Sequence, residues 1–136
     1  QAGAQRNIPC KNFFNSNHEE GGTLDNRSDN KGPEPEGVAL GRIGAKTFAF
    51  IGLERMGGVL VYDITSPTAP VRVDYLNTRN DWTTKSPAAV LAQVGDLGPE
   101  GLVFIPASDS PNGKPLLLVG YEVSGSTAVI QLNLAY

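Results

Sequence analysis

The chain has 136 residues, including 16 glycines and 10 prolines, and a net charge of -3 at pH 7. This length corresponds to about one domain or less. No apolar run approaches the roughly 20 residues that cross a bilayer, so we expect no transmembrane segment. The Lys and Arg residues are scattered along the chain, which argues against nucleic acid as a partner. Short β-branched and aromatic runs separated by Gly and Pro predict an all-β fold.

Residues 1–31 form a polar arm that is rich in Asn, Gly, Ser and charged residues. Such a segment folds only against another part of a structure. The arm holds His18, the only histidine, so a Ser-His-Asp arrangement would have to recruit it from a mobile segment. It also holds the single Cys10, which has no partner for a disulfide within the chain.

The first strand pattern occupies residues 32–76 and predicts a four-stranded antiparallel meander. The expected strands share apolar, β-branched or aromatic residues and are separated by Gly or Pro turns. They are residues 38–40, 47–54, 59–64 and 71–76.

A second copy of the pattern begins at Pro-Glu-Gly 99–101, which repeats Pro-Glu-Gly 35–37. A long connection, residues 77–97, separates the copies and contains Trp82 and a short predicted helix around 87–93. The second unit, residues 98–136, has expected strands at 102–105, 115–122 and 127–132. A unit of a few short strands that recurs after tens of residues is typical of β-propeller blades. We therefore predict two antiparallel blades of a larger closed propeller.

The second unit has only three expected strands, so one edge of its sheet lacks a neighbour. An open sheet edge exposes unpaired N–H and C=O groups. We expect another part of the same propeller, or another chain, to supply the missing strand. We also expect Val129, Leu132 and Leu134 to form an apolar face there. The chain is then interpreted as a fragment, a cleavage product or an associating subunit.

Four segments resemble the C-terminal part of the choice-of-anchor I family. They are residues 25–37 (DNRSDNKGPEPEG), 50–55 (FIGLER), 96–101 (DLGPEG) and 121–125 (YEVSG). The family consists of secreted or surface-anchored bacterial β-propeller proteins, also described as alkaline-phosphatase-like or similar to a mesenchyme-specific cell-surface glycoprotein. The resemblance runs over residues 24–132. It implies an extracellular, cell-surface or periplasmic location, and it carries no catalytic residues over to this chain.

A recurring glutamate pattern is the strongest indication of a site. Glu36 begins the first strand of its unit and Glu54 ends the second, so the antiparallel strands bring both to one edge. By the same argument Glu100 meets Glu122. Clustered carboxylates repel each other unless a cation or hydrogen-bond donors offset them, and oxygen ligands favour Ca²⁺. The predicted calcium ligands are Glu34, Glu36, Glu54, Asp96, Glu100 and Glu122.

Other roles are open for these residues. The glutamates can instead accept backbone N–H bonds from their turns, or pair with Arg55 or Lys31. Trp82 and Tyr75 can line a sugar-binding surface or pack the long connection against the sheet. The favoured function is a binding or scaffold module that presents one face to a surface glycan or protein. The alternative is a metal-dependent phosphoester hydrolase, alkaline-phosphatase-like or phytase-like, but no nucleophile with an adjacent base is visible.

Overall fold

The computed structural model describes residues 10–134, apart from the side chains of Cys10 and Lys11. Four strands form one antiparallel sheet in the order β1-β2-β3-β4: β1 (Pro35–Ile43), β2 (Lys46–Leu53), β3 (Val59–Asp63) and β4 (Val71–Leu76). Three more form a second sheet in the order β5-β6-β7: β5 (Pro99–Ile105), β6 (Leu116–Tyr121) and β7 (Ser126–Gln131). The all-β prediction is confirmed, and neither sheet closes on itself within this part of the chain.

Within residues 10–134, helical structure is limited to three short segments. They are α1 (Cys10–Phe13), a 3-10 turn (Pro87–Val90) and α2 (Leu91–Val94). The last two coincide with the short helix predicted in the long connection. The prediction that Cys10 forms no disulfide within the chain concerns a side chain that lies outside the described part of the structure.

The internal repeat is present in the backbone. The same three links recur in both sheets, shifted by 64 residues in the first strand and by 68 in the second and third. Pro35 pairs with Leu53 as Pro99 pairs with Tyr121. The other recurring links are the hydrogen bonds Glu54 N–H to Glu34 O (2.8 Å) and Ile64 N–H to Thr47 O (2.8 Å), matched by Glu122 to Gly98 (2.9 Å) and Leu132 to Pro115 (2.9 Å).

The two sheets stack face to face, and the faces in contact are not equivalent in the repeat. The first sheet contributes Phe50 and Val59 to the contact, and the second contributes Leu117 and Val119, all nearly inaccessible to solvent. In the repeat, Phe50 is equivalent to Leu118, and side chains alternate along a strand. Leu117 and Val119 therefore lie on the opposite face from the one that the first sheet uses. The main core lies in this contact.

A second apolar cluster holds the polar arm against the outer face of the first sheet. It contains Leu53, Met56, Tyr75 and Trp82, with Phe13 and Leu60 packed beside them. The Phe13 and Trp82 rings stack with their centroids 5.6 Å apart, and the Arg79 guanidinium lies 4.6 Å from the Trp82 ring centre. Tyr75 and Trp82 are thus buried and pack the connection down, which disfavours the sugar-binding interpretation.

The expectation of one apolar face from Val129, Leu132 and Leu134 is wrong. Leu132 and Leu134 pack against the core, whereas Val129 is 63% exposed. The reason is the period of two in an extended chain, which places residue 129 on the opposite face from residues 132 and 134.

Candidate functional site: a carboxylate cluster

Three glutamates of the first sheet meet at one edge. Glu36 is the second residue of β1, and Glu54 directly follows β2. Glu34 precedes β1 with a positive φ of 50°. One carboxylate oxygen from each of Glu34, Glu36 and Glu54 lies within 4.8 Å of the others. The antiparallel pairing of β1 with β2 therefore brings these side chains together, as the sequence pattern indicates.

The second sheet contributes an equivalent pair, Glu100 and Glu122. The negative charge of Glu122 and a hydrogen bond with it raise the pKa of Glu100, and the charge of Glu36 adds to this rise. The charge of Glu36 also helps to raise the pKa of Glu54. The charge of Glu36 therefore acts on carboxylates of both sheets.

Glu34 is neutralised by cations of this chain. Its buried carboxylate is 2.6 Å from Arg55 Nε, 3.1 Å from Lys31 Nζ and 3.3 Å from Arg27 Nη2. The hydrogen bond from Arg55 is the main reason that the pKa of Glu34 falls to about 2. Glu34 thus makes the ion pairs with Arg55 and Lys31 that a structural role requires, and these pairs tie the arm to the start of β1.

Glu54 is in the opposite electrostatic situation. Its side chain is buried, and desolvation followed by its hydrogen bond with Glu34 raises its pKa to about 7. Its Oε1 lies 3.3 Å from Arg55 Nε and 3.4 Å from His18 Nε2. Because burial penalises the ionised carboxylate, the structure favours the protonated form of Glu54.

His18 was not expected in the site. The structure buries it to 4% exposure beside Glu54, and desolvation, with the positive charge of Arg55, lowers its pKa. Its Nδ1 is buried without a hydrogen-bond partner among the described residues. No spacing in the polar arm points to Glu54, so only the docking of the arm brings the two together.

Asp96 lies apart from the glutamates in its contacts. Its carboxylate accepts a hydrogen bond of 2.6 Å from Ser126 Oγ. Its negative charge adds to the rise that burial causes in the pKa of Tyr121. It is absent from the groups that shift the pKa values of Glu34, Glu54 and Glu100. Asp96 therefore fastens the connection to β7.

The other three glutamates of the predicted site form an exposed negative surface. Glu36, Glu100 and Glu122 are solvent-accessible. None of the three forms an ion pair with a Lys, Arg or His of residues 12–134. An arrangement of exposed carboxylates drawn from two sheets can hold a hard cation through oxygen ligands.

A known family domain matches the first half of the chain. Residues 4–67 match the choice-of-anchor I domain. This match confirms the family inferred from the sequence, and it includes Glu34, Glu36 and Glu54. The choice-of-anchor I domain suggests a surface-associated module. None of the described helices is long and apolar enough to cross a membrane.

One curated relative is Gigasin-3a of Magallana gigas, which is 29% identical over 113 residues. The aligned stretch covers 82% of this chain and 40% of Gigasin-3a. The chain thus spans less than half of that relative's length. No solved structure matches the chain significantly.

Proposed function

We propose that this chain is part of an extracellular, surface-associated binding module in which the carboxylate cluster binds a calcium ion. The observation that carries the proposal is that β1 meets β5 beside Glu36 and Glu100, where Gly37 lies against the Glu100 carbonyl. Glu36, Glu100 and Glu122 are exposed at this edge and have no cationic partner in the described part of the chain. Like charges that are brought close together repel each other. A bound divalent cation would offset that repulsion and connect the two sheets.

The chemistry of the cluster favours calcium over other metals. Carboxylate oxygens are the expected ligands, whereas zinc favours nitrogen and sulfur ligands. Exposed side chains on two separate sheets suit the variable geometry of Ca²⁺ better than the strict octahedron of Mg²⁺. Glu36, Glu100 and Glu122 are the proposed ligands, with Glu54 behind them; Glu34 is already neutralised by Arg55.

The stacking of the sheets supports their assignment as two blades of a larger propeller. Equivalent units that pack by unlike faces can continue in one rotational sense, as blades do around an axis. The carboxylates then lie at one end of the blades, where β1 and β5 begin. This end is the proposed surface for a protein or glycan partner, with the calcium ion as part of it.

A calcium titration tests the proposal. We expect Ca²⁺ to raise the melting temperature of the chain relative to a chelator, and Glu36→Gln or Glu100→Gln to abolish most of that rise. Asp109→Asn is the matched control, because it removes one exposed carboxylate from the distant β5–β6 loop. Identical melting curves in calcium and chelator, or an equal loss in the control, would contradict calcium binding at the cluster.

A further inference from the structure

The two acidic edges of the repeat differ in the accessibility of one glutamate. Glu54 and Glu122 are equivalent, because the N–H of each donates to the residue just before the first strand of its sheet, which is Glu34 for one and Gly98 for the other. Glu122 is exposed to solvent, whereas Glu54 is only 7% exposed. The same backbone position therefore carries one accessible carboxylate and one covered carboxylate.

The polar arm covers Glu54. His18 of the arm lies with its Nε2 atom 3.4 Å from Glu54 Oε1, and the neighbouring Glu19 pairs with Arg55 at 2.9 Å. The long connection, which precedes β5 as the arm precedes β1, leaves Glu122 accessible. The second sheet thus shows the acidic edge as it is when no segment lies across it.

Few backbone contacts hold the arm in place. Among the described residues, a single backbone hydrogen bond joins residues 15–31 to the sheets or to the long connection, from Gly22 N–H to Trp82 O at 2.6 Å. The segment is fixed at both ends, since Phe13 stacks on Trp82 and β1 begins at Pro35. A loop that is attached in this way can open locally while the sheets stay folded.

The docked arm also buries polar atoms that lack a partner. Asn15 Oδ1, Ser16 Oγ and His18 Nδ1 are buried and have no hydrogen-bond partner among the described residues. Arg79 Nη2 is equally unpaired, although Nη1 of the same guanidinium donates to Asn17 O at 2.9 Å. Burial of such atoms costs free energy. The docking of the arm is therefore weakened around His18, and opening would return these atoms to water.

We propose that residues 15–31 form a reversible cover over a second calcium site, which Glu54 and Glu36 provide when the cover opens. This inference rests on the proposed function, because it extends calcium binding to the equivalent edge of the first sheet. One carboxylate oxygen of Glu36 already lies within 4.8 Å of one of Glu54, so Glu36 is shared between the two sites. Glu34 stays paired with Arg55, since neither residue belongs to the cover.

Docking of the cover and calcium binding at Glu54 exclude each other, because His18 lies against the carboxylate. By linkage, a change that opens the cover strengthens calcium binding at Glu54, and excess calcium favours the open state. Glu100 and Glu122 are accessible while the cover is closed. The arm therefore regulates one of the two sites and leaves the other available.

Gly21→Ala opens the cover without changing a charge. A Cβ atom at Gly21 would collide with the Thr84 carbonyl oxygen, so the arm must move off the connection. Gly101→Ala is the matched control, since it adds the same methyl group where no atom lies within 4 Å. We expect the Gly22 amide to exchange its hydrogen at least about tenfold faster in Gly21→Ala than in the parent chain or the control, while the amides of β6 stay protected.

A calorimetric titration of each full chain with calcium chloride then counts the sites. We expect one equivalent of calcium to bind the parent chain and Gly101→Ala, and two equivalents to bind Gly21→Ala. Glu54→Gln introduced into the Gly21→Ala chain should restore one equivalent, because it removes the ligand that the cover conceals. Trp82→Ala is a second means of opening the arm, since it removes the ring on which Phe13 stacks, and it should also bind two equivalents.

Four results would overturn the proposal. If Gly21→Ala frees the Gly22 amide but binds calcium as the parent chain does, the arm is no cover, and calcium binding by the exposed glutamates stands. If the second equivalent survives Glu54→Gln, the arm covers a different group. If Gly22 stays protected in both Gly21→Ala and Trp82→Ala, the arm is no separable unit. If none of the chains binds calcium, the proposed function fails together with this inference.

Discussion

Gly37 of β1 lies directly against the backbone of Glu100 in β5. A Cβ atom added at Gly37 would collide with the Glu100 carbonyl oxygen and with the Leu102 side chain. Its equivalent in the repeat, Gly101, has no atom within 4 Å of the same position. The two glycines therefore occupy equal places in their strands, and only the first is required by the contact between sheets.

Gly37→Ala and Gly101→Ala form a matched pair that tests this contact. We expect Gly37→Ala to lower the free energy of unfolding by about 1–3 kcal/mol, since the sheets must move apart to admit the methyl group. Gly101→Ala should be nearly neutral or slightly stabilising, because alanine reduces the freedom of the unfolded chain. Urea denaturation measures both. Equal losses in the two variants would mean that the sheets do not meet at Gly37.

Glu54→Gln should stabilise the chain at alkaline pH. The folded state raises the pKa of Glu54 to about 7, above the ordinary value near 4.5. The favourable contribution of its protonated form is therefore present below pH 4.5 and is lost as the pH rises through about 7. Glutamine removes this loss, so we expect a gain on the order of 1–3 kcal/mol at pH 8 that shrinks towards pH 5.

The measurement compares the free energy of unfolding of the variant with that of the parent chain from pH 5 to pH 8, with a chelator present. The lowered pKa of the neighbouring His18 makes stability fall towards low pH, which is opposite in sign to the effect of Glu54. The control is Glu20→Gln, an exposed residue of the arm. A difference that stays constant with pH would show that Glu54 titrates normally.

Trp82→Ala should release the polar arm while leaving both sheets folded. Trp82 stacks on Phe13 and lies under Arg79, and it belongs to the cluster between the arm and the first sheet. Large-to-small changes of buried aromatics cost about 3–5 kcal/mol. Limited proteolysis should cut the variant within residues 10–31, whereas Phe14→Ala, which alters a side chain that is 55% exposed, should resist like the parent chain.

The strands were predictable because their signal is local. Residues 71–76 alternate and end at turns, and β4 has those bounds in the structure. The prediction for β1, residues 38–40, was too short, because the strand continues from Pro35 through a register shift before Val38. The meeting of Glu36 with Glu54 followed from antiparallel order alone.

The docking of the arm was not predictable, because it depends on single contacts between distant residues of a polar segment. Glu19 pairs with Arg55 at 2.9 Å across 36 residues, and His18 reaches Glu54 over the same separation. No hydrophobic period marks these positions. The prediction of calcium binding stays a prediction, since geometry gathers the carboxylates without naming their counter-ion.

Because the two sheets stack through faces that are not equivalent in the repeat, the two ends of the stack present different surfaces. Leu102 and Phe104 of the second sheet pack in the core, while their equivalents in the first sheet, Val38 and Leu40, are 59% and 62% exposed. The part of the first sheet's outer face that contains Val38 and Leu40 therefore resembles the core-facing side of the second sheet, and it offers a further copy of the unit the same kind of packing surface. For the same reason, a substitution that enlarges the apolar area of an outer face would promote open-ended polymers rather than closed pairs.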